Sequence, residues 1–152
     1  MKRIFITNGC PFSGKSTWAL QNFATSNIIE SDFHKYDSSR NGDLAVYLSN
    51  LANLCEGDCV IVQTNNSFKN FQHYKELLNG EMVVVNFELS LEQIKENRAC
   101  SHRYKRNFKK SDRLEWYYKI WQNSLEQIKQ CKDWTCISVH KKETSELMDF
   151  ME

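Results

Sequence analysis

The sequence predicts an α/β fold: a parallel five-stranded sheet with helices on both faces and a basic helical lid. Three observations carry this reading. Short apolar runs alternate with stretches whose apolar positions have helical spacing, the pattern of repeated strand–helix units. Residues 9–17 read G-C-P-F-S-G-K-S-T, a glycine-bearing loop between the first apolar run and the first helix. From Arg98 to Lys110 the chain carries Arg98, Arg103, Lys105, Arg106, Lys109 and Lys110 with no acid among them.

The elements follow in order. Residues 2–7 form the first strand, and residues 15–26 a helix with Trp18, Leu20 and Phe23 for its buried side. Asn27-Ile-Ile-Glu30 is a second short strand, ending in Ser31-Asp32, which can cap a helix bearing His34 and Lys35. Residues 38–42 are loop. Residues 43–55 place Leu44, Val46, Tyr47, Leu48, Leu51 and Leu54 at helical spacing, and Glu56-Gly57-Asp58 stops that helix. Cys59-Val-Ile-Val62 is an apolar run typical of a strand buried on both faces, with Gln63-Thr64-Asn65-Asn66 at its carboxyl end. A helix over 67–79 ends at Asn79-Gly80. Residues 82–87 are a fourth buried strand. The helix at 90–99 puts Leu91, Ile94 and Asn97 on one side. The basic segment comes next, then a long helix near 112–131. Residues 134–139 are the fifth strand, and a short amphipathic helix with Leu147, Phe150 and Met151 closes the chain.

The loop carries the chemistry. G-x-x-x-x-G-K-[ST] after a strand and before a helix is the phosphate-binding pattern of P-loop NTPases. Gly9 and Gly14 let the backbone turn and approach phosphates without a Cβ in the way, with Ser13 between them in the cradle. The helix starting near Lys15 aims its free N–H groups and positive dipole end at the same anion. Lys15 is expected to bridge the β- and γ-phosphates of ATP, Ser16 to place its hydroxyl on Mg2+, and Thr17 to reach the α-phosphate region. In a parallel sheet ligands bind beyond the carboxyl ends of the strands. The positions that matter are therefore the loop, Ser31-Asp32, Gln63-Thr64-Asn65 and the segment after Phe87.

Length and composition bound the rest. A chain of 152 residues is about one domain, here 1–152 with a lid at about 98–113. With 41% hydrophobic and 26% charged residues it can build a packed core without staples. The net charge of +1 gives no global argument for nucleic acid. The local basic run does, since a solvated helix face interleaves signs. Six cysteines occur without a C-x-x-C pair, which points to reduced thiols used as small apolar residues, not to zinc. No apolar run has the length of a membrane span or a signal peptide, so a soluble cytoplasmic protein is expected.

G-C-P-F-S-G-K-S-T-W-A resembles the loop of P-loop polynucleotide 5′-hydroxyl kinases of the bacteriophage type, whose pattern is close to G-x-P-G-S-G-K-S-T-W-A. Ser31-Asp32-Phe-His-Lys35 resembles that family's acid after the second strand, followed by a basic residue. Val60-Ile-Val-Gln-Thr-Asn65 resembles its strand ending in Asp-Thr-Asn. Leu91-x-x-Ile94-x-x-Asn97-Arg98, then Arg103, resembles the helix leading into its arginine-bearing lid. The resemblance implies ATP-dependent phosphorylation of a hydroxyl, with the 5′-hydroxyl of a DNA or RNA end as the first expectation and end repair as the natural role. A phosphatase domain of the kind the family often carries does not fit in this length.

On that resemblance Asp32 accepts or orients the acceptor's proton, or alternatively serves only as a helix cap. Lys35 holds an acceptor phosphate, with Arg40 as a substitute. Arg98 and Arg103 close over the phosphates, with Arg106 as a substitute for Arg103; the alternative is a solvated basic face. Gln63, Thr64 and Asn65 meet the acceptor, or else cap the strand end. Trp116, Tyr117, Tyr118 and Trp121 crowd the helix after the lid, where a ring can stack on a base but helical spacing favours core packing. Three departures from the family pattern bear on the acceptor. Phe12 stands where the family has glycine, Gln63 where it has an acid, and Lys35 where it has arginine. They keep two rivals open: a kinase of a nucleoside, nucleotide or modified base in DNA, and a nucleotide-binding regulator without turnover.

Overall fold

Strands β1 (Arg3–Asn8), β2 (Ile28–Glu30), β3 (Cys59–Val62), β4 (Glu81–Glu88) and β5 (Thr135–His140) form one sheet in the order β2-β3-β1-β4-β5. Every pairing is parallel. The computed structural model describes residues 1–31, 44–63, 67–100 and 113–140. Its helices are α1 (Lys15–Asn22), α2 (Leu44–Leu54), α3 (Phe68–Leu77), α4 (Leu91–Cys100) and α5 (Leu114–Lys129), with a 3-10 turn at Thr25–Asn27. The closing helix expected around Leu147, Phe150 and Met151 lies outside the described residues.

Strand alternation divides the core into two layers. Ile4, Ile6, Cys59, Ile61, Met82 and Val84 face one way and pack with Ala45, Leu48 and Ala52 of α2, Phe71 and Tyr74 of α3, and Ile128 of α5. Val60 and Val62 face the other way and meet Ala19, Trp18 and Phe23 at α1. Val85, Phe87 and Val139 extend that second layer, again against Trp18. Burial on both faces explains why β1, β3 and β4 read as continuous apolar runs. Each such side chain contributes about 1.5–3 kcal/mol when fully buried.

Some boundaries and faces differ from expectation. α1 stops at Asn22, because Phe23 is extended (φ −137°, ψ 147°) and the Asn22 side chain bonds the Trp18 carbonyl. Leu20 is 50% exposed and does not join Trp18. Two residues along a helix are about 200° apart, so the two cannot share a face. In α2 the buried stripe is Ala45, Leu48, Ser49 and Ala52, leaving Val46 and Leu54 outside it. The other expected elements that fall on described residues occur within one or two residues of their bounds, while the helix expected to carry His34 and Lys35 and the basic lid lie outside the described residues.

Candidate active site

The G-C-P-F-S-G-K-S-T loop leaves the carboxyl end of β1, the central strand. The chain runs from β1 to β2 on one side, and β4 lies on the other, so the strand order reverses here. Such a switch point opens a crevice for ligand. The loop has a polar, hydrogen-bonded base. Asn8 donates from Nδ2 to Asn86 Oδ1 at 2.9 Å across β1 and β4. Trp121 of α5 donates its indole N–H to the Asn8 carbonyl at 3.1 Å.

Backbone conformation shapes the cradle. A Cβ on Gly9 would lie 2.5 Å from Ser13 Oγ and 3.0 Å from Phe87 Cβ, so any side chain there would fill the turn. Gly14 has φ 89° and caps α1 with no side-chain hydrogen bond, which leaves the amino end of the helix to attract an anion. Phe12 has φ 67°, the left-handed region that L side chains avoid. Ser13 Oγ is buried with no hydrogen-bond partner. An orphaned hydroxyl inside a cradle that a methyl group would fill fits a polar ligand's oxygens.

Lys15 is 7% exposed, and its ammonium donates to the Gly9 and Cys10 carbonyls, each at 2.9 Å. A buried cation needs such partners. They hold the charge against the backbone of the loop. Ser16 donates its hydroxyl to Glu30 Oε1 at 2.8 Å. Glu30 ends β2 and is itself 7% exposed. Ser16, with a carboxylate behind it, is chemically suited to hold Mg2+.

A small hydrophobic cluster supports the loop from beneath. Cys10 packs with Leu89, Ile94 and Leu114, flanked by Phe12, Leu91, Tyr117 and Tyr118. Burial pushes the Cys10 thiol up to about 12 despite the opposing charge of Lys15, so it is a neutral packing group. Asn97 of α4 donates to the Phe12 carbonyl at 3.0 Å and accepts from Gln93 Nε2 at 3.0 Å. Arg98 follows directly in the last turn of α4. Of the aromatic group, Trp121 is core, while Trp116 is 54% exposed and edge-on to Tyr117 at 5.0 Å.

Gly9, Ser13, Gly14, Lys15, Ser16 and Thr17 therefore come together at the end of β1 and the start of α1. Gln63 lies at the end of β3, 6% exposed, with its Oε1 accepting the Tyr74 hydroxyl. Asp32, Lys35, Arg40, Thr64, Asn65, Arg103 and Arg106 lie outside the described residues. Three contributors were not foreseen: Glu30, the Asn97 tie and Tyr74. The signals were present. A glutamate closes an apolar strand, and an amide sits on the apolar side of α4. A cavity of about 470 Å³ lined by Phe5, Trp18, Phe23, Asn27 and Asp58 lies at the opposite, amino end of the strands, remote from the loop.

These features define an α/β protein with a phosphate-loop motif at the end of its central strand. Solved structures that share its fold include two kinases by name. One is a sugar kinase from Janibacter sp. HTCC2649 in unliganded form: 13% identity, 99% of this chain and 92% of that chain covered, TM-score 0.56. The other is a fungal RNA kinase: 14% identity, 99% and 83% covered, TM-score 0.51. Similarity at these identities establishes the fold. No protein-family profile and no curated protein matches the chain. Among the described residues, no helix is long and apolar enough to cross a membrane.

Proposed function

We propose that this chain is an ATP-dependent kinase that transfers the γ-phosphate to a hydroxyl, foremost the 5′-hydroxyl of a DNA or RNA end. The supporting observation is the cradle at β1: buried Lys15 over a loop with an orphaned Ser13 hydroxyl, at an uncapped helix start. Phosphoryl transfer asks a protein chiefly for position and charge. Gly9, Ser13, Gly14 and Thr17 line the phosphate path, and Lys15 supplies the cation beside the β- and γ-phosphates. Ser16 holds the metal. Magnesium bound there would offset charge on the phosphate oxygens. Asp32 orients the acceptor hydroxyl and takes its proton. Lys35, Gln63, Thr64 and Asn65 bind the acceptor, and Arg98 and Arg103 close a lid at about 98–113 over a single domain spanning 1–152. The two solved neighbours, a kinase of RNA and a kinase of a sugar by name, accord with a hydroxyl acceptor.

The test is phosphoryl transfer from radiolabelled ATP to 5′-hydroxyl oligonucleotides, free nucleosides and modified duplexes, at low and high salt. Labelled oligonucleotide, weaker at high salt, is the expected result, with Lys15→Ala losing it by a factor of 100 or more, on the order of 3 kcal/mol of transition-state stabilisation. Labelling of small molecules alone would replace the nucleic-acid acceptor with a nucleoside-type one. Equal background from wild type and Lys15→Ala on every acceptor would end the enzyme reading.

A further inference from the structure

We propose that Glu30, at the tip of β2, is the carboxylate of the magnesium site. The inference rests on the kinase reading and deepens it. In P-loop NTPases the loop serine or threonine shares its metal with an acid from a neighbouring strand. The end of β3 offers no acid here. Gln63 is a neutral amide, and its oxygen is engaged by Tyr74. Glu30 supplies the missing charge from one strand further out. It pairs in register with Val62, the residue before Gln63, so its carboxylate stands at the same level of the sheet.

The hydrogen bond from Ser16 to Glu30 also sets the hydroxyl's direction. A serine hydroxyl has one proton and two lone pairs. With the proton given to Glu30 Oε1 at 2.8 Å, the lone pairs are left for a cation. Beside a polyphosphate the Glu30 carboxylate meets like charge, and a divalent cation between the two removes the conflict. A glutamate that only braced Ser16 could be replaced by glutamine with little effect on metal, since the amide oxygen still accepts the Ser16 hydroxyl. The two roles therefore predict different Mn2+ affinities for Glu30→Gln.

The experiment uses the full chain with Mn2+ and ADP as probes. ADP affinity is measured by calorimetry in EDTA. Mn2+ affinity at saturating ADP is measured from the free-ion resonance signal. Glu30→Gln is expected to weaken Mn2+ about 10–100-fold, the range for residues that orient metal ligands. It should leave metal-free ADP binding equal or tighter. Adding Gln63→Glu to Glu30→Gln should recover Mn2+ affinity by restoring a carboxylate from β3. Unchanged Mn2+ affinity in Glu30→Gln overturns the proposal, as does an equal loss of Mn2+ and metal-free ADP. Should Glu30→Gln not fold, Glu30→Asp is read in the same way. A wild type that binds no ADP in either buffer would end the kinase reading as well. A wild type that binds both probes, matched by the variant, would sink only the role of Glu30.

Discussion

Phe12 shows how one residue can be stressed and secured at once. Its φ of 67° costs about 1–2 kcal/mol for an L side chain. Two contacts hold it there: the ring packs beside the Cys10 cluster, and the carbonyl accepts from Asn97. Removing the ring tests the backbone directly. At most positions alanine is more stabilising than glycine because it restricts the unfolded chain. Here the order should invert, with Phe12→Gly more stable than Phe12→Ala by about 1 kcal/mol in urea denaturation. Alanine equal to or above glycine would mean the loop does not hold that conformation in solution. The sequence exposes the oddity, a phenylalanine at a turn position beside Ser13-Gly14. One of its anchors, Asn97, lies 85 positions away in the chain.

At the scale of elements, the glycine-bearing loop after β1 and α4 form one unit. Asn97 and Gln93 are one helical turn apart, so a single stripe of α4 carries both amides beside buried Ile94. That stripe touches the loop through the Phe12 carbonyl, and Arg98 sits at the next position. The helix that leads to the basic segment thus also braces the loop after β1. Asn97→Ala leaves Gln93 Nε2 and the Phe12 carbonyl without this partner. A loss of about 1–3 kcal/mol in stability follows, together with weaker ADP binding by calorimetry. In a Phe12→Gly background the effect on ADP should shrink, because glycine adopts the same φ without a clamp. A double-mutant cycle with no coupling would separate the clamp from the loop. The helix was legible from its periodicity. The amide on its apolar side was legible too, but its partner was not, because periodicity names no distant carbonyl.

For the whole molecule, burial of thiols shapes the response to pH. Burial pushes Cys10 up to about 12 from an ordinary 9.0. Cys59 is also pushed up to about 12, first by burial and then by the neighbouring Cys55. Both folded values exceed the unfolded ones, so between pH 9 and 12 the unfolded chain releases protons that the folded chain retains. Stability from these groups is complete below pH 9 and is lost as pH rises through that window. The urea midpoint of wild type should fall more steeply above pH 9 than that of the Cys10→Ala, Cys59→Ala double variant. Parallel pH profiles would show that neither thiol differs between the two states.

What the sequence alone determined is the part of the protein written in adjacent residues. Apolar runs and helical spacing specify the strands and helices, and nine consecutive residues carry the G-x-x-x-x-G-K-[ST] pattern, because local backbone geometry and side-chain periodicity depend on near neighbours. The tertiary structure decided which distant residues complete that loop. Sheet order brought Glu30 against Ser16, α4 brought Asn97 against Phe12, and α5 brought Trp121 under Asn8. No periodicity encodes those meetings. They follow from strands pairing out of chain order, which places the tip of β2 beside β3 and the loop of β1 beside helices formed some 80 to 110 residues later.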